Sequence, residues 1–247
     1  VCRWPDVGVI RVAEHVVMLM LALAKRLDDA QAVALSADPS WRESRRTDEN
    51  TFAYNWSVRQ GIMQLYERTV GILGFGEIGA ELARRLAGWG VTLLYHKRRR
   101  LPLTAEIDLG LSYAERDDLL TQSDYLVNLL PYSPDTHMSL DARTFACMKP
   151  GAMLVSCGSG GVVDEAALAD ALRAGYLAGA ALDTFEWEPL RSDNALIALA
   201  QSNSNVILTP HVAAGTPNLD SGLEERRAVY TNIMRHLRGQ PVLNRLT

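Results

Sequence analysis

The residues with the clearest chemical meaning are Gly74, Gly76 and Gly79, spaced G-x-G-x-x-G in the run Gly74, Phe75, Gly76, Glu77, Ile78, Gly79 that directly follows the apolar stretch Val70, Gly71, Ile72, Leu73. A strand that empties into such a loop reads as a dinucleotide-binding turn. The first glycine permits the tight turn, the second lets backbone N–H groups approach a pyrophosphate, and the third lets the next helix pack closely on the strand. The bare spacing is weak evidence, but its surroundings support it. Ile78, Leu82 and Leu86 fall on one face of a helix that Gly88 and Gly90 would end.

In NAD-binding units of this kind the second strand ends, about 20 residues further on, in an acid that hydrogen-bonds the ribose 2′-hydroxyl. Here the second strand, Val91 to Tyr95, ends in His96, Lys97, Arg98, Arg99 and Arg100. Cations at that place form charge-assisted bonds to a 2′-phosphate, and with no acid there to repel it NADP(H) is favoured over NAD(H). A solvated basic loop with no ligand is the plain alternative.

Three further segments fall at the ends of expected strands, where open α/β sheets place ligands. They are Ser156 to Gly161, then Ala181 to Pro189 with Asp183 and Glu188, then Leu208 to Thr216 with His211, Ala213 and Gly215. Histidine changes charge near neutral pH, and a carboxylate beside it favours the protonated form and fixes the ring, so His211 with Glu188 is a candidate acid. Cys157 reads either as a reactive thiol or as a buried filler.

The elements that would hold these loops alternate. Strands are expected near 70–73, 91–95, 125–130, 152–156, 178–182 and 205–208, and helices near 77–88, 114–121, 141–147 and 164–174, a pattern that predicts a doubly wound parallel sheet of Rossmann-like α/β class. Asp164 as cap and Gly175 after Arg173 frame the last of these helices. A long, well-buried helix is expected over Ala13 to Ala34, then an irregular arm over 36–60 that carries Pro39, Trp41 and Trp56. A final helix over Asp220 to Leu237 is closed by Gly239 and Pro241, which divides the chain into a dinucleotide-binding domain, 1–219, and a C-terminal helix and tail, 220–247.

With 247 residues, 48% of them hydrophobic, the chain can bury a sizeable core, and a net charge of −4 argues against nucleic acid as a general partner. Cys2, Cys147 and Cys157 sit at no metal-ligand spacing and suggest reduced thiols in a cytoplasmic setting. The longest apolar stretch, Val16 to Ala24, falls far short of the roughly 20 residues of a membrane span, and no signal peptide is evident. The chain starts at Val1 as though at the end of a strand, so a preceding segment is expected.

The glycine loop, Leu130, Pro131, Tyr132, Ser133, Pro134, Asp135, Thr136 and the three strand-end segments together resemble the D-isomer-specific 2-hydroxyacid dehydrogenases, from Val12, Ala13, Glu14, His15 to Asn244. The resemblance implies a nucleotide-binding domain inserted into a substrate domain that is largely absent from this chain. His211 would protonate the substrate carbonyl while a nicotinamide delivers hydride, and Glu188 would be its partner. Asp183 would receive the nicotinamide carboxamide. Leu130, Pro131, Thr136, Cys157, Gly158, Ala213 and Gly215 would line the cofactor, and the long first helix would form a homodimer interface.

Ser159 departs from the family, which has an arginine immediately before Gly160 and Gly161 to grip the substrate carboxylate. A hydroxyl supplies neither charge nor bidentate geometry. At about 1.5–3 kcal/mol per hydrogen bond to a charged group, its loss costs about 10- to 100-fold or more in rate. Two functions compete: a reductase whose substrate does not need that arginine, and a nucleotide-binding scaffold or sensor that has lost the chemistry. In either case these residues alone, without the opposing wall that the resemblance places before Val1, are expected to bind cofactor and turn over poorly or not at all. Val16 to Leu27 with the arm's aromatics would leave an apolar patch that a homodimer covers.

Overall fold

The computed structural model describes residues 7–36, 38, 43–52, 54–202, 204–216 and 218–243; the expectations attached to Val1, Cys2, Pro39, Trp41 and Asn244 fall outside them. Its strands are β1 (Thr69–Leu73), β2 (Thr92–His96), β3 (Leu111–Tyr113), β4 (Tyr125–Asn128), β5 (Met153–Ser156), β6 (Gly179–Leu182) and β7 (Val206–Leu208). They form one sheet in the order β3-β2-β1-β4-β5-β6-β7, and every neighbouring pair is parallel. Chain order reverses between β1 and β4, so the loops leaving those two strands diverge and open a crevice at their carboxyl ends.

Apolar residues point to both faces. Val70, Ile72, Tyr125, Val127, Met153, Val155 and Ala181 fill one core, while Leu73, Leu126, Leu154, Ala180 and Leu182 fill the other. A sheet covered on both faces reads as near-continuous apolar runs, which is why its central strands were legible. The first face is covered by α1 (Val7–Lys25) and α3 (Glu77–Leu86), the second by α5 (Arg116–Gln122), α6 (Ala142–Cys147), α7 (Glu165–Arg173) and α8 (Ala195–Gln201). Asp164 caps α7, its side chain accepting from the N–H of Ala167 at 3.0 Å.

Four details differ from expectation. The long first helix breaks at Arg26, whose φ of +49° is left-handed, and α2 (Leu27–Ser36) follows as a separate element. β3, α4 (Leu103–Leu109) and α8 lie where no element was expected; β3 is only three residues long and buries only Leu111. Third, the inner face of α1 is already occupied. Ala13, Val16, Leu19, Met20 and Leu23, spaced three and four apart, are buried in this chain's own core. Ile10, Met18, Leu27, Phe52, Tyr54 and Trp56 remain exposed.

The fourth concerns the basic run. Arg100 is drawn out of it: Nε and one terminal nitrogen bind the two carboxylate oxygens of Glu106 at 2.8 and 2.7 Å, and Tyr95 donates to the same carboxylate at 2.6 Å. An acid does reach the run, through α4. The Arg100 and Tyr95 hydrogen bonds hold the Glu106 carboxyl down at about 2.

The arm between α2 and β1 carries no helix or strand among its described residues. It is tied to α1 by Lys25 Nζ to Met63 O and Met63 N to Ala24 O, both 2.8 Å. The last helix, α9 (Leu219–Leu237), exposes Leu223, Tyr230, Ile233, Met234 and Leu237. No helix among the described residues is long and apolar enough to cross a membrane.

Candidate active site

The loops after β1, β4, β5, β6 and β7 meet at one end of the sheet, and glycine lets them meet. Gly74 has φ +88°, and a Cβ there would stand 2.7 Å from the backbone nitrogen of Leu130. Gly160 is tighter still, since its Cβ would fall 1.9 Å from the carbonyl oxygen of Phe185. Gly76, at the entrance to α3, differs: nothing lies within 4 Å of its Cβ position. The loop is therefore packed where it faces protein and open where a pyrophosphate would approach the helix N-terminus.

Phe75 and Ile78 belong to the core side of this loop. The Phe75 ring packs at 4.9 Å on Tyr95 and is 5% exposed, so only its backbone is available to a ligand. Glu77 is exposed in the first turn of α3. Thr136 is spent within its own loop, donating to Pro131 O at 2.8 Å and accepting from Ser133 N at 2.7 Å. Gly158 seats its Cβ position 2.7 Å from Leu130 O, the atom that also accepts from Ser159 N at 2.9 Å. The Ser159 hydroxyl is half-buried and has no hydrogen-bond partner among the described residues. Cys157 packs on the core; burial, and then the Asp183 charge, push its thiol well above the usual range, which makes it inert filler.

Asp183, at the end of β6, is fully buried. Burial alone would raise its pKa, but hydrogen bonds from His15, Thr209 and the N–H groups of Val212 and Ala213 bring it down to about 2. Its Oδ1 accepts from Thr209 Oγ1 at 2.6 Å and Val212 N at 3.0 Å, and its Oδ2 from Ala213 N at 2.9 Å. The carboxylate thus fixes the turn that carries His211. Ala213 is buried beneath that turn and Gly215 closes it, donating to Val212 O at 2.8 Å.

His211 has a left-handed φ of +53°, and its Nδ1 lies 2.6 Å from Oε2 of Glu188. Oε1 of Glu188 accepts from Phe185 N at 3.0 Å, so the carboxylate is held from both sides. An ionised carboxylate only accepts, which places the ring hydrogen on Nδ1 and leaves Nε2 to face a reactant. The His211 side chain is 59% exposed, and Nε2 has no partner among the described residues. Glu188 and His211 are together as the resemblance implied; Ser159 follows β5, one strand from the loop that carries Glu188 and two from the loop that carries His211.

His15 was missed as part of this site. From α1 its Nε2 reaches Thr209 Oγ1 at 3.1 Å and Asp183 Oδ1 at 3.4 Å. The available signal was a single histidine within an otherwise apolar helical face, Val12 to Leu21, and such a residue is ordinarily structural.

At the far end of the crevice His96 closes β2, with its Nδ1 3.0 Å from Ala114 O. Lys97, Arg98 and Arg99 have no ion-pair partner among the described residues. No group of three or more His, Cys, Asp or Glu that could hold a metal occurs among the described residues.

Residues 17–213 match the family model described as D-isomer specific 2-hydroxyacid dehydrogenase, NAD binding domain. A glyoxylate reductase of Thermococcus onnurineus is 36% identical over 221 residues, which are 90% of this chain and 62% of that protein. A D-3-phosphoglycerate dehydrogenase of Mycobacterium tuberculosis is 34% identical over 86% of this chain and 36% of its own length. Among solved structures, the holo form of Rhodotorula graminis D-mandelate dehydrogenase superposes with a TM-score of 0.80 at 26% identity, covering 98% of this chain and 67% of that one. The PH0520 protein of Pyrococcus horikoshii gives a TM-score of 0.80 at 30% identity, with 100% and 68% covered. The chain thus spans about 62% of the glyoxylate reductase it matches.

Proposed function

The chain belongs to the D-isomer specific 2-hydroxyacid dehydrogenase family, and from that premise we propose that it is the nucleotide-binding part of an oxidoreductase acting on a 2-keto or 2-hydroxy acid or a related carbonyl compound. The observation that carries the reading is the His211–Glu188 pair, 2.6 Å apart, with Nε2 unpartnered among the described residues, at the same end of the sheet as the glycine loop. The residues present fit a nicotinamide dinucleotide, because the space at Gly76 is open while Gly74 and Gly158 are filled by backbone. A bound nicotinamide would supply the hydride. Protonated His211 gives its Nε2 proton to the carbonyl oxygen, Glu188 holds the ring, and the buried Asp183 carboxylate, accepting from Thr209, Val212 and Ala213, positions the turn that carries His211.

Lys97, Arg98 and Arg99 support NADP(H) over NAD(H), with Arg100 removed from that count by Glu106. Residues 220–247 are the part that packs toward a substrate domain, for which the exposed apolar side chains of α9 are the support. Exposed apolar side chains on α1, α2 and the arm, Met18, Leu27 and Trp56 among them, support a homodimer, and cysteines at no metal-ligand spacing support a reducing, cytoplasmic setting. Sedimentation as a clean monomer at micromolar concentration would remove the dimer from this reading.

Ser159 favours a second reading, a nucleotide-binding scaffold or sensor without turnover. The deciding assay follows NADPH consumption with glyoxylate, hydroxypyruvate and a panel of 2-keto acids, for the chain and for Ser159→Arg. The reductase reading expects slow turnover by these 247 residues, a gain on Ser159→Arg, and loss of that gain in Ser159→Arg/His211→Gln. Binding without turnover in every case leaves the scaffold reading standing.

A further inference from the structure

We propose that His96 selects between the two nicotinamide dinucleotides by its protonation state, accepting from a ribose 2′-hydroxyl when neutral and donating to a 2′-phosphate when charged. This rests on the nucleotide-binding reading of the glycine loop. His96 is the last residue of β2, paired with Leu73 of β1, and its carbonyl oxygen accepts from Gly74 N at 3.1 Å. The backbone that carries the ring is thereby tied to the first glycine of the loop, at the place where this fold puts the group that meets the ribose 2′ position.

The hydrogen bond at Nδ1 decides what the ring can do. Its partner, Ala114 O at 3.0 Å, is a carbonyl and can only accept, so Nδ1 carries hydrogen in both protonation states. Proton gain and loss are confined to Nε2, which has no partner among the described residues. Tyr113 of β3 lies beside the ring with centroids 5.8 Å apart, limiting its rotation. The charged or titratable neighbours are Lys97, Arg98 and Arg99 on its own segment, Arg100 paired with Glu106 of α4, Tyr113 bonded to Glu115 after β3, and Glu77 at the start of α3. A fixed carboxylate only accepts and would favour NAD(H) throughout, whereas an imidazole accepts when neutral and donates when charged.

The test is calorimetric titration of the chain, His96→Asn and His96→Gln with NADP⁺ and NAD⁺ at about pH 6 and about pH 8, on either side of histidine's usual range. In the unmodified chain the preference for NADP⁺ should rise about tenfold on acidification, the lower end of what a hydrogen bond to a charged group contributes. In both variants that rise should vanish. The 2′-phosphate titrates in the same range with opposite effect, so an equal pH response in chain and variants assigns the change to the phosphate and overturns the proposal. Binding of both nucleotides in a pH-independent ratio also overturns it and leaves the nucleotide site intact. Binding of neither overturns the nucleotide reading and this inference with it. Nitrogen NMR of the unmodified chain gives an answer that needs no variant: saturating NADP⁺ should move His96 Nε2 to its protonated position near neutral pH, NAD⁺ should not, and identical positions contradict the proposal.

Discussion

Oδ1 of Asp183 accepts the Thr209 hydroxyl at 2.6 Å, and the same hydroxyl oxygen lies 3.1 Å from His15 Nε2. Through this pair the first helix, the sixth strand and the loop that carries His211 form one polar unit centred on the buried Asp183. Buried polar groups are stabilising when every member is satisfied and costly when one is removed. The unit fixes the turn at Val212 and Ala213 and so sets where His211 stands relative to Glu188.

The first consequence is acid sensitivity. Asp183 is held at about 2, below its ordinary 3.8, so its contribution is present above the ordinary carboxylate range and is lost as pH falls from about 4 through about 2. That contribution is about 2 kcal/mol. Urea denaturation of the chain should therefore show stability falling between pH 5 and pH 2, with a shallower fall for Asp183→Asn, which is already weaker at neutral pH. Parallel acid profiles for the two proteins would contradict the role given to Asp183.

Gly74 and Gly76 should respond in opposite ways. Gly74→Ala places a Cβ 2.7 Å from backbone at φ +88° and should destabilise the fold by about 1–3 kcal/mol in thermal or chemical unfolding. Gly76→Ala meets nothing within 4 Å and should leave stability within about 0.5 kcal/mol of the parent while weakening nucleotide binding. Equal effects of the two substitutions on stability would argue that the loop has only a structural role.

The cations of the β2 loop should divide in the same manner. Lys97→Ala or Arg98→Ala should reduce NADPH affinity by about tenfold each and leave NADH unchanged, as expected for lost charge-assisted bonds to a 2′-phosphate. Arg100→Ala should leave nucleotide preference untouched and lower the thermal midpoint, because Arg100 is committed to Glu106, the carboxylate that also accepts from Tyr95. Fluorescence titration with both nucleotides, alongside thermal unfolding, separates these outcomes.

What could be read from the chain follows the strength of its local patterns. The glycine loop and the central strands were visible because burial on two faces leaves runs such as Tyr125 to Val127 without polar interruption. β3 was not, since Leu111, Ser112 and Tyr113 are too short for any periodicity and only Leu111 is buried. The turn at Arg26 was invisible because a non-glycine left-handed residue carries no sequence signature there. The His211–Glu188 pair was legible from the resemblance, whereas two long-range contacts were not: His15 to Thr209, 194 residues apart, and Arg100 to Glu106, whose pairing depends on a helix that was not foreseen.

The most direct test of the account is calorimetric titration of the purified chain with NADPH and NADH. The account predicts one site per chain, with NADPH bound more tightly than NADH and both weakened by Gly76→Ala. Absence of heat and of binding for both nucleotides would contradict it, leaving the glycine loop as packing alone and removing the hydride-transfer reading of His211 and Glu188.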